Sequence, residues 1–278
     1  GFELKEEDQI EHILSANTHD NILFFTTRGK VFQTKVYEVP AATRTAKGKS
    51  FHNFLEIPQD EKASAIVAYN NKADKKFLVM ATKNGFIKKT ALKDFENVRR
   101  SGIIAIGLKT DDALYWAALS GGNDEIIIAT MFGQAIRFKE KDVRSMGRTA
   151  SGVTALRIKK GDEVAGLGVI KEEDRPDFKN MRFLAVMMNG YAKQTPLKEY
   201  KVQKRGGSGI RTAKVTAKTG QIIAAQVVKE EEEIIAFSTN GQVIKTKLSA
   251  VRTASRDTQG VRIMDLNSDD HLVGVVCL

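Results

Sequence analysis

Ile22-Leu-Phe-Phe-Thr-Thr-Arg-Gly-Lys-Val-Phe-Gln-Thr34 sets the pattern that decides the fold. An apolar, β-branched run enters a turn that ends in glycine. A second run leaves the turn with a basic residue and often a threonine. The pattern returns at Phe77–Thr90, Ile126–Phe138, Phe183–Thr195 and Ile234–Thr246. Apolar runs of four to six residues are too short for stand-alone helices. Where the turn reads Asn-Gly, it supplies the positive φ angles of a tight hairpin. The turn glycines are Gly29, Gly85, Gly133, Gly190 and Gly241, spaced on average 53 residues apart. A period of that length marks a repeat architecture.

Each repeat has a second half opened by its own glycine: Gly48, Gly102, Gly152, Gly209 or Gly260, 17 to 19 residues beyond the turn glycine. Alternating stretches follow, such as Gly152–Ile158 and Gly260–Leu266. Then come a polar turn (Lys160–Glu163, Ser268–Asp270) and a closing apolar strand (Val164–Ile170, Leu272–Cys277). Four strands in about 50 residues is the arithmetic of a propeller blade. The expected fold is therefore all-β, a ring of four-stranded blades. The complete repeats run approximately over 20–70, 71–120, 121–170, 178–228 and 230–278. Residues 1–19 match only the back half of a unit, with Leu4–Asp8 as its turn and Ile10 to Leu14 as its strand. The expectation is six blades, the first truncated at the N-terminus, in one domain of residues 1–278. The charged runs Lys171–Pro176 and Glu230–Glu233 read as solvated loops between strands.

Composition narrows the function. The 278 residues include 44 Lys+Arg against 34 Asp+Glu, a net charge of +10 and a pI near 9.5. A polyanion is the first partner to consider. With 42 % hydrophobic residues the chain is no disordered polybasic tail. The single cysteine, Cys277, excludes a disulfide framework and a cysteine-ligated zinc site, and fits a reducing compartment. His12, His19, His52 and His271 are scattered without ligand spacing. No run approaches the roughly 18 apolar residues of a membrane span, and the first residues do not read as a signal peptide. Gly48-Lys-Ser50 is no P-loop, because Thr43 stands where that motif needs its first glycine and a strand follows instead of a helix. Trp116 and the apolar stripes read as packing between blades. Tyr37, Tyr69, Tyr115, Tyr191 and Tyr200 read as core or rim residues.

The positive charge recurs at two places. One set lies before the second glycine: Arg44, Lys47 and Lys49, then Arg99 and Arg100, Arg144 and Arg148, and Arg252 and Arg256. A second set follows the hairpin turn: Lys30, Lys88, Lys89, Arg137, Lys193 and Lys245. In a closed ring these would form a positive band around the edge, suited to the phosphates of curved duplex DNA. Ordinary solubilising surface charge is the alternative for any single residue. The most basic stretch is Tyr200–Arg211, with Gln203-Lys-Arg-Gly-Gly-Ser-Gly209 at its centre. Its glycines expose backbone amides and permit close approach to a phosphate, while Lys204 and Arg205 supply charge. A flexible turn between two strands is the competing reading.

These features together resemble the C-terminal domain of the bacterial DNA gyrase A subunit. The resemblance rests on the five hairpins, the basic loops that follow them and the heptapeptide Gln203, Lys204, Arg205, Gly206, Gly207, Ser208, Gly209. It runs through essentially the whole chain, including Asn17–Leu23, Lys35–Tyr37 and Val143–Gly147. It implies a six-bladed β-pinwheel, in which blades exchange strands with their neighbours. It also implies a non-catalytic DNA-wrapping function within an ATP-dependent type II topoisomerase. The heptapeptide matches the family's box Q-R-R-G-G-x-G, with lysine in place of one arginine. The family's principal box usually lies in the first blade. Here the match lies in the fourth complete repeat, and a stronger box upstream of Gly1 is an open expectation. The implied partners are double-stranded DNA, the rest of the gyrase A subunit with the gyrase B subunit, in an A2B2 holoenzyme, with no membrane. No cofactor is implied in this domain; ATP and magnesium serve the holoenzyme. The implied location is the cytoplasm, with the nucleoid. Three alternatives stay open: the equivalent domain of topoisomerase IV, a propeller scaffold for protein partners, and a propeller enzyme. The scaffold predicts apolar or mixed-charge loops, and the enzyme predicts polar groups converging on a central channel.

Overall fold

The structure, a computed structural model, describes residues 14, 16–41, 52, 54–70, 76–229, 231 and 233–278. They form two compact units, one drawn from 14–122 and 143–153, the other from 123–142 and 154–278. In the first, the strands are β1 (Asn21–Thr26), β2 (Lys30–Lys35), β3 (Ala63–Tyr69), β4 (Phe77–Thr82), β5 (Phe86–Ala91), β6 (Ile103–Ile104) and β7 (Leu114–Ser120). The second holds β8 (Glu125–Thr130), β9 (Gln134–Lys139), β11 (Val164–Ile170), β12 (Arg182–Met187), β13 (Tyr191–Pro196) and β14 (Ile210–Arg211). It continues with β15 (Ile222–Val228), β16 (Glu233–Ser238), β17 (Val243–Lys247), β18 (Val261–Arg262) and β19 (Leu272–Cys277). The short β10 (Val153–Thr154) closes the sheet around β5.

The sheets run β3-β1-β2-β6, β10-β5-β4-β7, β11-β8-β9-β14, β15-β12-β13-β18 and β17-β16-β19. Three strands of every sheet come from one repeat. In the four-stranded sheets the fourth is the short strand after the second glycine of the following repeat: β6 pairs with β2, β14 with β9 and β18 with β13. The expectation of four strands from each repeat is corrected here, because the second-half strand leaves its own repeat. Backbone proximity makes the exchange possible. A Cβ on Gly209 would stand 2.4 Å from the Ala135 carbonyl oxygen, and φ there is +70°. Only glycine lets β14 seat against β9.

Among the described residues there are five sheets, not the six expected. The fifth, built from the last of the repeats, has three strands. Most of the residues counted toward a further blade, 1–13, lie outside the described residues, and 16–20 form no strand.

Turn chemistry explains a hydroxyl residue that recurs at the end of the first run. Thr26, Thr82, Thr130 and Ser238 end the first strand of four hairpins. Their carbonyls accept the turn glycine's amide at 2.9 to 3.1 Å. Their hydroxyls accept the amide of the residue after the glycine at 3.1 to 3.4 Å. Positive φ falls on the glycine alone. Asn84, Asn189 and Asn240 keep negative φ, so the turn is not one with two left-handed residues.

The polar turn of the same repeat caps this hairpin. Asp112 accepts the amide of Asn84 at 3.0 Å, Asp162 that of Phe132 at 2.9 Å and Asp270 that of Asn240 at 3.0 Å. Asp270 also accepts the hydroxyls of Ser238 and Thr239, each at 2.7 Å, and the His271 amide at 2.9 Å. Burial by itself would raise its carboxyl. The two hydroxyls and two amides outweigh burial and hold it below the usual carboxylate range. Asp270 therefore contributes stability above its unfolded pKa that is lost as pH falls through its folded one. Asp270→Asn is expected to cost about 2 kcal/mol at neutral pH, the scale of lost charge-assisted hydrogen bonds. The deficit should shrink in acid, and urea unfolding at pH 7 and pH 3 measures it.

The first strand of each hairpin is apolar on both faces. Leu23, Phe25, Leu78, Met80 and Leu114 form one core in the first unit. In the second unit Ile127, Phe183, Ala185 and Tyr200 form one core, and Leu184, Val186, Ile234 and Leu248 another. The loops that follow the second strands of the hairpins carry the candidate site.

Candidate nucleic-acid interface

The loops before Gly152, Gly209 and Gly260 dock on the preceding repeat. The fourth residue after the turn glycine forms a parallel bridge to the loop: Lys89 to Ser145, Arg137 to Val202 and Gln194 to Thr253. In two repeats the same residue clasps the 3-10 turn that precedes the loop. Gln194 donates to the Leu248 and Val251 carbonyls, both at 2.8 Å. Arg137 donates to the Leu197 carbonyl at 3.3 Å and that of Tyr200 at 2.9 Å.

On these loops Arg99, Arg100, Arg144, Lys204 and Arg252 are exposed, while Arg148, Arg205 and Arg256 are half-buried. Arg256 donates to the Arg211 carbonyl at 3.0 Å, and its amide donates to Glu199 at 3.1 Å. Arg211 is exposed and pairs with Asp257 at 2.8 Å. Arg44, Lys47 and Lys49 lie outside the described residues.

The second basic set does not form a surface row. Its members occupy three offsets from the turn glycine, and alternation along a strand sends neighbours to opposite faces. Lys30, one residue beyond Gly29, pairs with the buried Glu61 at 3.3 Å. Lys88 and Lys193, three beyond, are 0 % exposed. Lys89, Arg137 and Lys245 are four beyond. Lys89 is buried with its ammonium 4.9 Å from the Phe77 ring centroid. Arg137 pairs with Glu125 and lies over the Phe178 ring at 4.4 Å. Lys245 is exposed and pairs with Glu233 at 2.5 Å. For Lys88, Lys89, Arg137 and Lys193 the surface expectation is corrected: the exchanged loops cover them.

Lys88 donates to the carbonyls of Ala105 at 2.5 Å, Gly147 at 2.9 Å and Arg148. Lys193 donates to Ser255 at 2.6 Å, Arg256 at 2.7 Å and Thr258 at 3.4 Å. Burial pushes both ammonium groups down to about 8.

The heptapeptide is a docked segment, not a loose turn. The Gln203 amide donates to the Arg137 carbonyl at 2.7 Å, and the Gly206 amide to that of Ala155 at 2.6 Å. The Gly207 carbonyl accepts the Arg157 amide at 2.8 Å. Arg205 spends its guanidinium on the carbonyls of Asp142 at 2.8 Å and Thr154 at 3.0 Å. Its charge anchors the segment, and Lys204 and Ser208 are the exposed members. The Gly206 amide, already used, is not a donor awaiting a phosphate. Sequence reasoning misses the glutamine and lysine clasps. Sorting the basic residues by offset from the turn glycine would separate them from the loop cations.

Among the described residues no group of three or more His, Cys, Asp or Glu side chains is placed to hold a metal, and no helix is long and apolar enough to cross a membrane. A family model described as the DNA gyrase C-terminal domain, beta-propeller, matches residues 20–53, 76–118, 124–171, 188–229 and 232–278. The matched segments follow the five repeats. The chain is 39 % identical over 277 residues to the DNA gyrase A subunit of Mycolicibacterium smegmatis, covering 99 % of this chain and 32 % of that protein. It thus spans about a third of the length of the curated relatives it matches. Two solved structures are similar over 100 % of the chain. One is a DNA gyrase A C-terminal domain, with TM-score 0.83, 26 % identity and 88 % of that chain covered. The other is the C-terminal domain of DNA topoisomerase IV, with TM-score 0.85, 25 % identity and 84 % covered.

Proposed function

Since the chain belongs to the family of DNA gyrase C-terminal domains, we propose that residues 1–278 act as one domain that binds duplex DNA and bends it along their basic loops. The observation that carries this reading is the recurrence of exposed cations on one loop of successive repeats: Arg99 and Arg100, Arg144, Lys204 and Arg252. They meet phosphates, with Arg148, Arg211 and Arg256 beside them. Phosphate contacts position a duplex without reading its sequence. Among the described residues no recognition helix is offered for the bases. Repeated contacts offset the bending cost, of order 1–6 kcal/mol for 40–90° over 20–30 base pairs.

The domain is non-catalytic on its own. Within the whole protein, wrapping presents a DNA segment to the cleavage core, so that ATP-driven strand passage introduces negative supercoils. The remainder of the gyrase holoenzyme supplies the tyrosine, the magnesium site and the ATPase, in the cytoplasm with the nucleoid. The topoisomerase IV alternative is not favoured: the sequence relatives are gyrase A subunits, while the two structural likenesses are nearly equal.

The test uses the full-length protein with relaxed circular DNA closed by ligase, and a linear duplex for affinity. Five phosphate contacts predict that these loops contribute about −4.5 to the slope of log affinity against log salt, about −0.9 for each. A linking-number change after ligation accompanies it. Salt-independent binding, or an unchanged linking number, overturns the proposal.

A further inference from the structure

We infer that Lys88 and Lys193 are positioning residues for DNA contact: each buried ammonium gathers three carbonyls and holds the next repeat's basic loop at the register where its arginines meet phosphate. The inference rests on the DNA-binding reading above. A lysine ammonium has three N–H donors, and each of these two has three carbonyl acceptors around it. Two carbonyls in the first group belong to Gly147 and Arg148, on the loop of Arg144 and Arg148. All three in the second belong to Ser255, Arg256 and Thr258, on the loop of Arg252 and Arg256. Those acceptors lie 59 to 65 residues along the chain, so they converge only when the loop is seated.

Packing alone does not require a cation here. At the same offset from the turn glycine, Phe32, Ile136 and Ile244 stand in the other repeats. The loop over Ile136 is the heptapeptide, and there Arg205 grips backbone carbonyls instead. A buried cation beneath loop arginines is costly in a fold. Two of the loops nevertheless have one, and its whole donor set is spent on backbone carbonyls.

Charged groups around each lysine set its titration. Around Lys88, burial and the Arg148 charge disfavour the ammonium and Asp94 favours it. Around Lys193, burial and Arg256 disfavour it, while Glu199 and Asp257 favour it. With both near 8, loss of the proton between pH 7 and pH 9 leaves two donors for three carbonyls.

Lys88→Met and Lys193→Met in the full-length protein test the inference, because methionine keeps the length and removes every donor. Trypsin should cut after Arg144 and Arg148 about tenfold faster in Lys88→Met. In Lys193→Met the acceleration should fall after Arg252 and Arg256, with the other loop unchanged in each variant. The salt slope for linear duplex should fall by about one to two phosphates, roughly 0.9 to 1.8. Wild-type affinity should drop several-fold from pH 7 to pH 9, and the double variant should lack that step. Equal acceleration at both loops, or wild-type slope and pH profile in the variants, overturns the inference. If the wild type itself shows no salt-dependent binding, the DNA reading fails; loop-selective cleavage then still separates loop-holding from that failure.

Discussion

Gly209→Ala is expected to cost about 3 kcal/mol, combining the left-handed backbone penalty with a steric clash. The new methyl would sit 2.4 Å from the Ala135 carbonyl oxygen and 2.9 Å from its carbon, at φ +70°. Both neighbours are backbone, so relief requires β14 to move off β9. The other two glycines of the heptapeptide differ. Gly206 has φ +80° but its nearest neighbour would be 3.7 Å away, so Gly206→Ala is expected to cost only the backbone penalty, about 1 kcal/mol. Gly207 has ordinary φ and no neighbour closer than 3.7 Å, so Gly207→Ala should be nearly neutral. Melting temperature ranks the three. A chain of this size loses about 2–4 °C per kcal/mol, so Gly209→Ala should melt about 6–12 °C lower. A Gly207→Ala loss as large as that of Gly209→Ala would contradict the docked geometry.

Removing one exposed cation from each of four loops should weaken DNA binding far more than it weakens the fold. In the full-length protein, Arg100→Ala, Arg144→Ala, Lys204→Ala and Arg252→Ala combined should lower the salt slope by about 3.6, at 0.9 per phosphate. All four are exposed, so unfolding free energy should change by no more than about 0.5 kcal/mol per site. Arg205→Ala should behave in the opposite way. Its guanidinium holds the Asp142 and Thr154 carbonyls, so its loss should loosen the heptapeptide and lower stability. Fluorescence anisotropy across a salt series, paired with urea unfolding, separates the two classes. A quadruple variant with the wild-type slope would remove these loops from the interface.

The repeat, the hairpins and the basic loops were legible because their causes are local. A turn glycine bonds a carbonyl three residues back, a threonine hydroxyl caps its own turn, and apolar runs announce buried strands within six residues. Strand exchange was not legible from the residues, because Ile103-Ile104 and Ile210-Arg211 read equally well as strands of their own repeats. Pairing with β2 and β9 depends on backbone approach at glycines whose partners lie in another repeat. Nor could the residues show that Lys88 and Lys193 are buried, because the carbonyls that cover them come from the next repeat.

By itself, the sequence determined a five-fold β-repeat with an excess of cations on a recurring loop, and its likeness to the gyrase family. Only the tertiary structure decided which cations face solvent. Lys88, Arg137 and Lys193 look like surface charge because a lone cation is expected in water. They are inside because exchanged loops bring carbonyls from about 60 residues away to meet them, and those contacts replace the water. Arg100, Arg144, Lys204 and Arg252 keep their hydration, and on those the proposed hold on DNA depends.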